Sequence, residues 1–214
     1  MRIALTVWVT TVLLAPVAAC GADRSTEPTH CSTCHGSQLQ GNVALQAPAL
    51  AGMEPWYLDE QLRAYNQLQR GTAGFDRDPA GKEMQSVARE IVTPAQRAAA
   101  LRHVASYSPT RPGRWLPAGN ANNGAKLWDQ HCASCHGAQA QGRAELHAPS
   151  LLSLNDWYLA ATWAKYREGL RGAAVTGNAW ALGMAEISRA MPTDFPIQDV
   201  IAHLYNLNNE PTKP

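Results

Sequence analysis

Apolar positions recur at helical spacing in two pairs of stretches. In "WYLDEQLRAYNQLQR" Leu58, Leu62 and Tyr65 fall on one face of a 3.6-residue period, and "DWYLAATWAKYREGL" repeats that helix 101 positions later. "TPAQRAAALRHVASY" opens with Thr93 as a predicted N-cap and Pro94 at the first helical position, with Leu101 and Val104 three apart behind them. Its counterpart "IQDVIAHLYNL" carries Val200, Ile201, Leu204 and Leu207 as a stripe expected to be buried. One more helix is predicted in "NNGAKLWDQHC", around Leu127 and Trp128. The matching "GADRSTEPTHC" holds Pro28 and little that is apolar, so the first copy's leading helix is expected to be short or absent. No period-two alternation runs long enough for a sheet.

The pairing of helices extends to identity. Shifting the chain by 101 positions lays residues 30 to 58 on 131 to 159, and 15 of those 29 positions are the same. His30/His131, Cys31/Cys132, Cys34/Cys135, His35/His136, Gly41/Gly142, Pro48/Pro149 and the two Trp-Tyr-Leu runs are among them. The match continues through Tyr65/Tyr166 and Arg70-Gly71/Arg171-Gly172, then returns at Met84/Met184 with one residue deleted. Two homologous domains are expected, 20 to 107 and 120 to 210. Between them the proline-rich and glycine-rich "SPTRPGRWLPAG" (108 to 119) reads as a linker. Domains of about 90 residues build only a modest side-chain core, so a large apolar prosthetic group would add materially to stability.

The first residues, "MRIALTVWVTTVLLAPVAAC", combine Arg2, an apolar run and small residues before Cys20, which predicts an export signal over 1 to 19. The run is shorter than the roughly 20 apolar residues that a membrane-crossing helix needs. "VAAC" resembles a bacterial lipobox, with ordinary cleavage beside Cys20 as the alternative; a lipid on Cys20 would tether the chain to a membrane. Losing Arg2 leaves 17 basic against 17 acidic side chains, a balance that argues against a nucleic-acid partner.

Export makes disulfides the ordinary use of cysteine, but four of the five cysteines form two Cys-x-x-Cys pairs, each followed at once by histidine. That is the attachment motif of c-type haem: two thiols on one helical turn add to the porphyrin vinyl groups, and the next residue swings under the iron. Cys31, Cys34, Cys132 and Cys135 are therefore expected to carry two covalent haems, with His35 and His136 as iron ligands. A four-cysteine zinc site is disfavoured by the 98 positions from Cys34 to Cys132, and a thioredoxin-like pair by the missing alternation of strands and helices. His30 and His131 precede the first thiol and read as solvated or helix-end residues.

For the sixth ligand the repeat selects among five methionines, because only Met84 and Met184 match each other. Both are expected on a loop before the last helix of each copy, with flexible core filling as the competing role. A thioether opposite imidazole favours ferrous iron and raises the potential. Pro48 and Pro149, each 13 residues after its histidine, are candidates to accept the ring N–H on a backbone carbonyl. Arg70 and Arg171 are candidate propionate partners or solvated helix-end residues. Trp56, Tyr57, Trp157 and Tyr158 are expected to pack on the haem or the core.

With "CSTCHG", "CASCHG", "APAL", "APSL", the paired "WYL" helices and Met84 and Met184, the chain resembles the di-haem class I cytochromes c, in particular the cytochrome c-four family. The resemblance implies an all-α fold of two tandem cytochrome c domains and a periplasmic carrier of one electron per haem. It also implies that electrons run from an upstream quinol-oxidising complex or dehydrogenase towards a terminal oxidase. Two other functions compete: a cytochrome subunit of a periplasmic dehydrogenase, and a haem peroxidase, which would need an open iron site that Met84 and Met184 argue against.

Overall fold

The computed structural model describes residues 30 to 74, 76 to 172 and 179 to 209. The export segment, Cys20 and the first copy's leading helix lie outside the described residues. In the first domain α1 (Cys31–His35) is followed by α2 (Pro55–Asn66), α3 (Pro79–Ala88) and α4 (Pro94–Ala105). In the second, α5 (Ala121–His131) and α6 (Ala133–His136) are followed by α7 (Asp156–Arg167), α8 (Ala179–Ala190) and α9 (Ile197–Asn209). The repeat therefore equates α1 with α6, α2 with α7, α3 with α8 and α4 with α9. Among the described residues there is no named strand, and one isolated antiparallel bridge pins each haem-motif loop, Asn42 with Ala47 and Arg143 with Ala148.

Local chemistry sets the helix ends. Thr93 caps α4 through its hydroxyl, which accepts from Gln96 N–H, while Gln96 reaches back to the Thr93 N–H as a capping box. Asp78 accepts from Gly81 N–H at 2.9 Å and Pro79 follows at the first helical position, so a helix begins there. Met84 and Met184 consequently sit within α3 and α8, not on loops. The chain before Met84 is helical because the Asp78 carboxylate caps it and Pro79 fits its first turn.

Each domain has its own core. Leu39, Ala51, Leu58 and Val104 pack together with Cys31 and Leu101 against them. Trp128, Ala140, Val200 and Leu204 do the same in the second, with Cys132, Leu159 and Leu207. The predicted stripe on α9 is thus buried, and α5 lies along α9.

The domains are joined by polar side chains: Glu54, Tyr57 and Gln61 of α2 and its N-cap reach Ser150 and Arg171, Asn155 reaches Ala49, and Lys165 reaches Asp78. The linker is strapped to the second domain, where the buried Asp156 carboxylate accepts from Trp115 N–H and Leu116 N–H, both at 2.8 Å. Arg114 adds a cation–π contact on the Tyr205 ring, 4.3 Å from its centroid.

Candidate functional site

Both Cys-x-x-Cys-His segments form short helices that end at the histidine, followed by a glycine with positive φ, Gly36 or Gly137. The loop then folds back identically in each copy. Gly41 N–H donates to His35 C=O and Gly142 N–H to His136 C=O, both at 2.8 Å, and Leu50 and Leu151 N–H close on the carbonyls of Leu39 and Ala140. Gly41 and Gly142, at φ +91 and +81, leave room for the chain that returns: a Cβ on either would stand within 2.8 Å of the backbone nitrogen of Ala49 or Ser150.

That return brings the Pro48 carbonyl to 2.6 Å from His35 Nδ1 and the Pro149 carbonyl to 2.9 Å from His136 Nδ1. A carbonyl only accepts, so Nδ1 carries the hydrogen and Nε2 is left with its lone pair, the state a metal ligand needs. Burial lowers the pKa of both rings, opposed by the proline carbonyl in each and, for His136, also by the Glu54 charge. Burial thus favours the neutral form of both rings.

The four thiols are unpaired; Cys34 is exposed and the other three are partly buried. Burial pushes the Cys31 thiol up and takes Cys132 to about 11, with Cys135 adding to the latter. No cluster of three or more His, Cys, Asp and Glu suited to a metal exists among the described residues. His30 is exposed at the cap of α1, and His131 is exposed at the end of α5, edge-on to Phe195.

In the first domain α2 connects the two sides of the site. Leu58 packs in the cluster that touches Cys31, while Leu62 and Tyr65, one and two turns on, pack with Ala88 against Met84. Met184 is half-buried on α8, which lies against α7, the equivalent of α2.

Arg70 and Arg171 are 9% and 3% exposed, which excludes solvated helix ends. Arg70 lies over the Tyr65 ring and Arg171 over the Tyr166 ring. Arg171 Nη2 donates to Tyr57 Oη and Gln61 Oε1, both at 3.0 Å, and Arg70 Nη1 donates to the same Gln61 oxygen at 2.7 Å. The two cations thus converge at the domain boundary. Asp78, the nearby buried acid, is taken by Lys165 at 2.7 Å. Against burial, which raises it, Arg171 and then Arg70 draw the Tyr158 phenol down to about 8, while burial pushes Tyr57 up to about 12. Arg171 Nη1 and Trp157 Nε1 are buried donors with no partner among the described residues. Unpaired thiols, imidazoles whose Nε2 carries the lone pair and an orphaned guanidinium donor on Arg171 are the set that a haem with anionic propionates satisfies.

Sequence reasoning missed Glu54 and Asn155. Each occupies the N-cap of α2 or α7 but makes no side-chain cap to its own helix. Glu54 Oε1 instead accepts from Ser150 N–H at 2.8 Å, and Asn155 Oδ1 from Ala49 N–H at 2.7 Å, both across the domain boundary. The signal available was the repeat itself, which equates the two positions.

A family model for cytochrome c matches residues 24–108 and again 121–208. The thiosulfate dehydrogenase electron acceptor of Thiomonas intermedia (strain K12) is 28% identical over 196 residues, covering 87% of this chain and 82% of that protein. A cbb3-type cytochrome c oxidase subunit of Rhizobium leguminosarum bv. viciae is 32% identical over 146 residues, or 64% of this chain, which spans only 44% of that subunit. Among solved structures, cytochrome c4 of Acidithiobacillus ferrooxidans superposes with a TM-score of 0.64 at 22% identity over 83% of this chain and 98% of its own, a likeness of fold. A thiosulfate dehydrogenase of Marichromatium purpuratum gives 0.62 at 25% over 85% of this chain and 36% of that one. The chain belongs to the cytochrome c family. It is a di-haem electron carrier whose two haem c groups are covalently bound through its Cys-x-x-Cys-His segments.

Proposed function

We propose, with that membership as the premise, that the protein carries electrons in the periplasm, one per haem, from a dehydrogenase or quinol-oxidising complex towards a terminal oxidase. The observation that supports it most is the twice-built histidine loop, in which Pro48 and Pro149 fix the ring tautomer. Residues 20 to 107 and 120 to 210 form the two domains, with 108 to 119 joining them and 1 to 19 as the export signal. Each haem c supplies a single-electron iron couple. Cys31 and Cys34 would hold the first porphyrin and Cys132 and Cys135 the second, with His35 and Met84 as the residues that would bind the first iron and His136 and Met184 the second. Arg70 and Arg171 pair with propionates at the domain boundary and keep water away from that edge.

A stepwise redox titration should show two one-electron transitions and a low-spin spectrum for both haems. Ready binding of carbon monoxide by the reduced protein at neutral pH, or turnover of peroxide, would overturn the carrier reading. A second reading, a subunit docked on a periplasmic dehydrogenase, is favoured by the near full-length similarity to a thiosulfate dehydrogenase electron acceptor. Stable one-to-one co-purification with a dehydrogenase would select it over a free carrier. No helix among the described residues is long and apolar enough to cross a membrane. Mass spectrometry of the mature N-terminus tests whether Cys20 carries a lipid anchor.

A further inference from the structure

The two bonds that cross the domain boundary from Glu54 and Asn155 end on particular peptide units. Pro149 C=O and Ser150 N–H belong to one amide: its oxygen accepts from His136 Nδ1 at 2.9 Å and its N–H donates to Glu54 Oε1 at 2.8 Å. Pro48 C=O and Ala49 N–H likewise belong to one amide, which accepts from His35 Nδ1 at 2.6 Å and donates to Asn155 Oδ1 at 2.7 Å. Each histidine ring is therefore connected, through a single peptide, to a side chain of the other domain. The connections are equivalent in the repeat, but one ends on a carboxylate and the other on a neutral amide.

An amide is a resonance system. An acceptor on its N–H draws electron density towards the carbonyl oxygen, and that oxygen then accepts more strongly from its own donor; hydrogen bonds in series reinforce one another in this way. A charged acceptor does so more than a neutral one, since charge-assisted bonds are roughly twice as strong. The bias here comes from that charge and not from bond length, because the Asn155 path has the shorter bonds, 2.6 and 2.7 Å against 2.9 and 2.8 Å. A stronger acceptor on Nδ1–H makes the imidazole a more basic ligand, and a more electron-rich ligand favours ferric iron. Glu54 and Asn155 are diverted to this use: both stand at N-cap positions and leave their own helices uncapped. Asn155 is held in place by Nδ2 donating to Gln40 C=O at 3.2 Å. Burial and a proline carbonyl act on both rings, and the Glu54 charge acts on His136 in addition.

We infer that Glu54 and Asn155 are cross-domain tuning residues: Glu54 in the first domain lowers the reduction potential of the second haem through the Pro149–Ser150 peptide, Asn155 leaves the first haem's higher, and the electron settles on the first. The inference rests on the reading of His35 and His136 as iron ligands. It makes the duplicated protein directional. An electron received at the second domain runs downhill to the first, and the boundary between the domains carries the bias as well as the contact.

The test uses the haem-loaded full chain and reads each haem separately, from proton NMR of the haem methyls followed through a redox titration, with Met84→Leu and Met184→Leu variants to assign the signals. Glu54→Gln keeps an acceptor of the same shape and removes the charge. It should raise the second haem's potential and move the electron distribution between the haems about tenfold towards the second, equivalent to about 59 mV. The His136 Nδ1–H resonance of the reduced protein should shift towards a weaker hydrogen bond. Asn155→Asp should do the converse, lowering the first haem alone and shifting the His35 Nδ1–H. If Glu54→Gln moves both haems equally, or leaves the His136 resonance in place, the peptide relay is wrong and Glu54 acts only as a distant charge. If Glu54→Gln does not assemble, Asn155→Asp carries the decision: no change at the first haem overturns the inference. Replacing His136 with no change in the second haem's coordination spectrum would instead sink the ligand assignment beneath it.

Discussion

The two haem-motif loops of this chain are nearly the same backbone set in different surroundings. From His35 to Leu50 and from His136 to Leu151 most of the backbone hydrogen bonds repeat, down to the isolated bridge and the proline carbonyl on the ring, with Leu146 N–H to Arg143 C=O added in the second copy. The side chains that reach these loops do not repeat. Trp128 donates from Nε1 to Gly137 C=O at 3.2 Å in the second domain, while the position equivalent to Trp128 in the first is Glu27. Glu54 faces one proline peptide and Asn155 the other. The loop that presents the histidine is closed by its own glycines and backbone bonds, so duplication copies it whole. Its neighbours belong to the domain boundary, where each copy meets the other copy and not itself, and there the two can diverge.

The largest test of this contrast removes one anchor at a time. Cys31→Ala with Cys34→Ala should abolish covalent attachment in the first domain and leave one haem's mass on the chain; Cys132→Ala with Cys135→Ala should do the same for the second. Two haems retained on either variant would break the assignment. Next in size, Met184→Leu should lower the second haem's potential by a sizeable part of the roughly 0.8 V that axial ligands span, with haem still attached; Met84→Leu should lower the first. Unchanged potentials would mean that another group closes those faces.

Smaller effects separate the loops by their neighbours. Gly41→Ala and Gly142→Ala should each destabilise the fold by about 2 kcal/mol in denaturant unfolding, from the strained φ and the clash with the returning peptide. Only Gly41→Ala should also loosen the domain boundary, because its Cβ would stand 2.5 Å from Asn155 Oδ1. Equal proteolytic sensitivity of the linker in the two variants would contradict that. The smallest effect concerns Tyr57 and Tyr158, equivalent in the repeat and shifted in opposite directions. Phenols lose their proton as pH rises, so an unopposed Arg171 and Arg70 would give a tyrosinate signal near pH 8 from Tyr158. With propionates on both guanidiniums that signal should be absent from the loaded protein. A signal near pH 8 that disappears in Tyr158→Phe would show the arginines unengaged.

Much of this architecture was legible in the sequence because it is written in local patterns. The N-cap at Thr93, the stripe on α9 and the leading helix before Cys132 depend on residues within a turn or two of each other. Pro48 and Pro149 were legible for a different reason: the repeat marked them, and proline leaves a free carbonyl. Met84 and Met184 were correctly paired but placed on loops, since Asp78 and Pro79 signal a helix start only when read together. The burial of Arg70 and Arg171 was not legible, because a guanidinium at a helix end has the same local sequence whether it meets water or another domain. Glu54 and Asn155 were hidden more deeply. Each stands where a capping residue belongs, and only the docking of two domains shows that neither caps.

The strap at Asp156 has a consequence for how the halves part. By fastening Trp115 and Leu116 to the second domain, with Arg114 on the Tyr205 ring, it shortens the rope between α4 and the second domain to the stretch from Ser106 to Gly113. A flexible tether that short keeps two surfaces at an effective concentration on the order of millimolar. An opened pair would therefore re-close far faster than it could be captured by a competitor, and an interface held by a handful of polar bonds behaves as a permanent one.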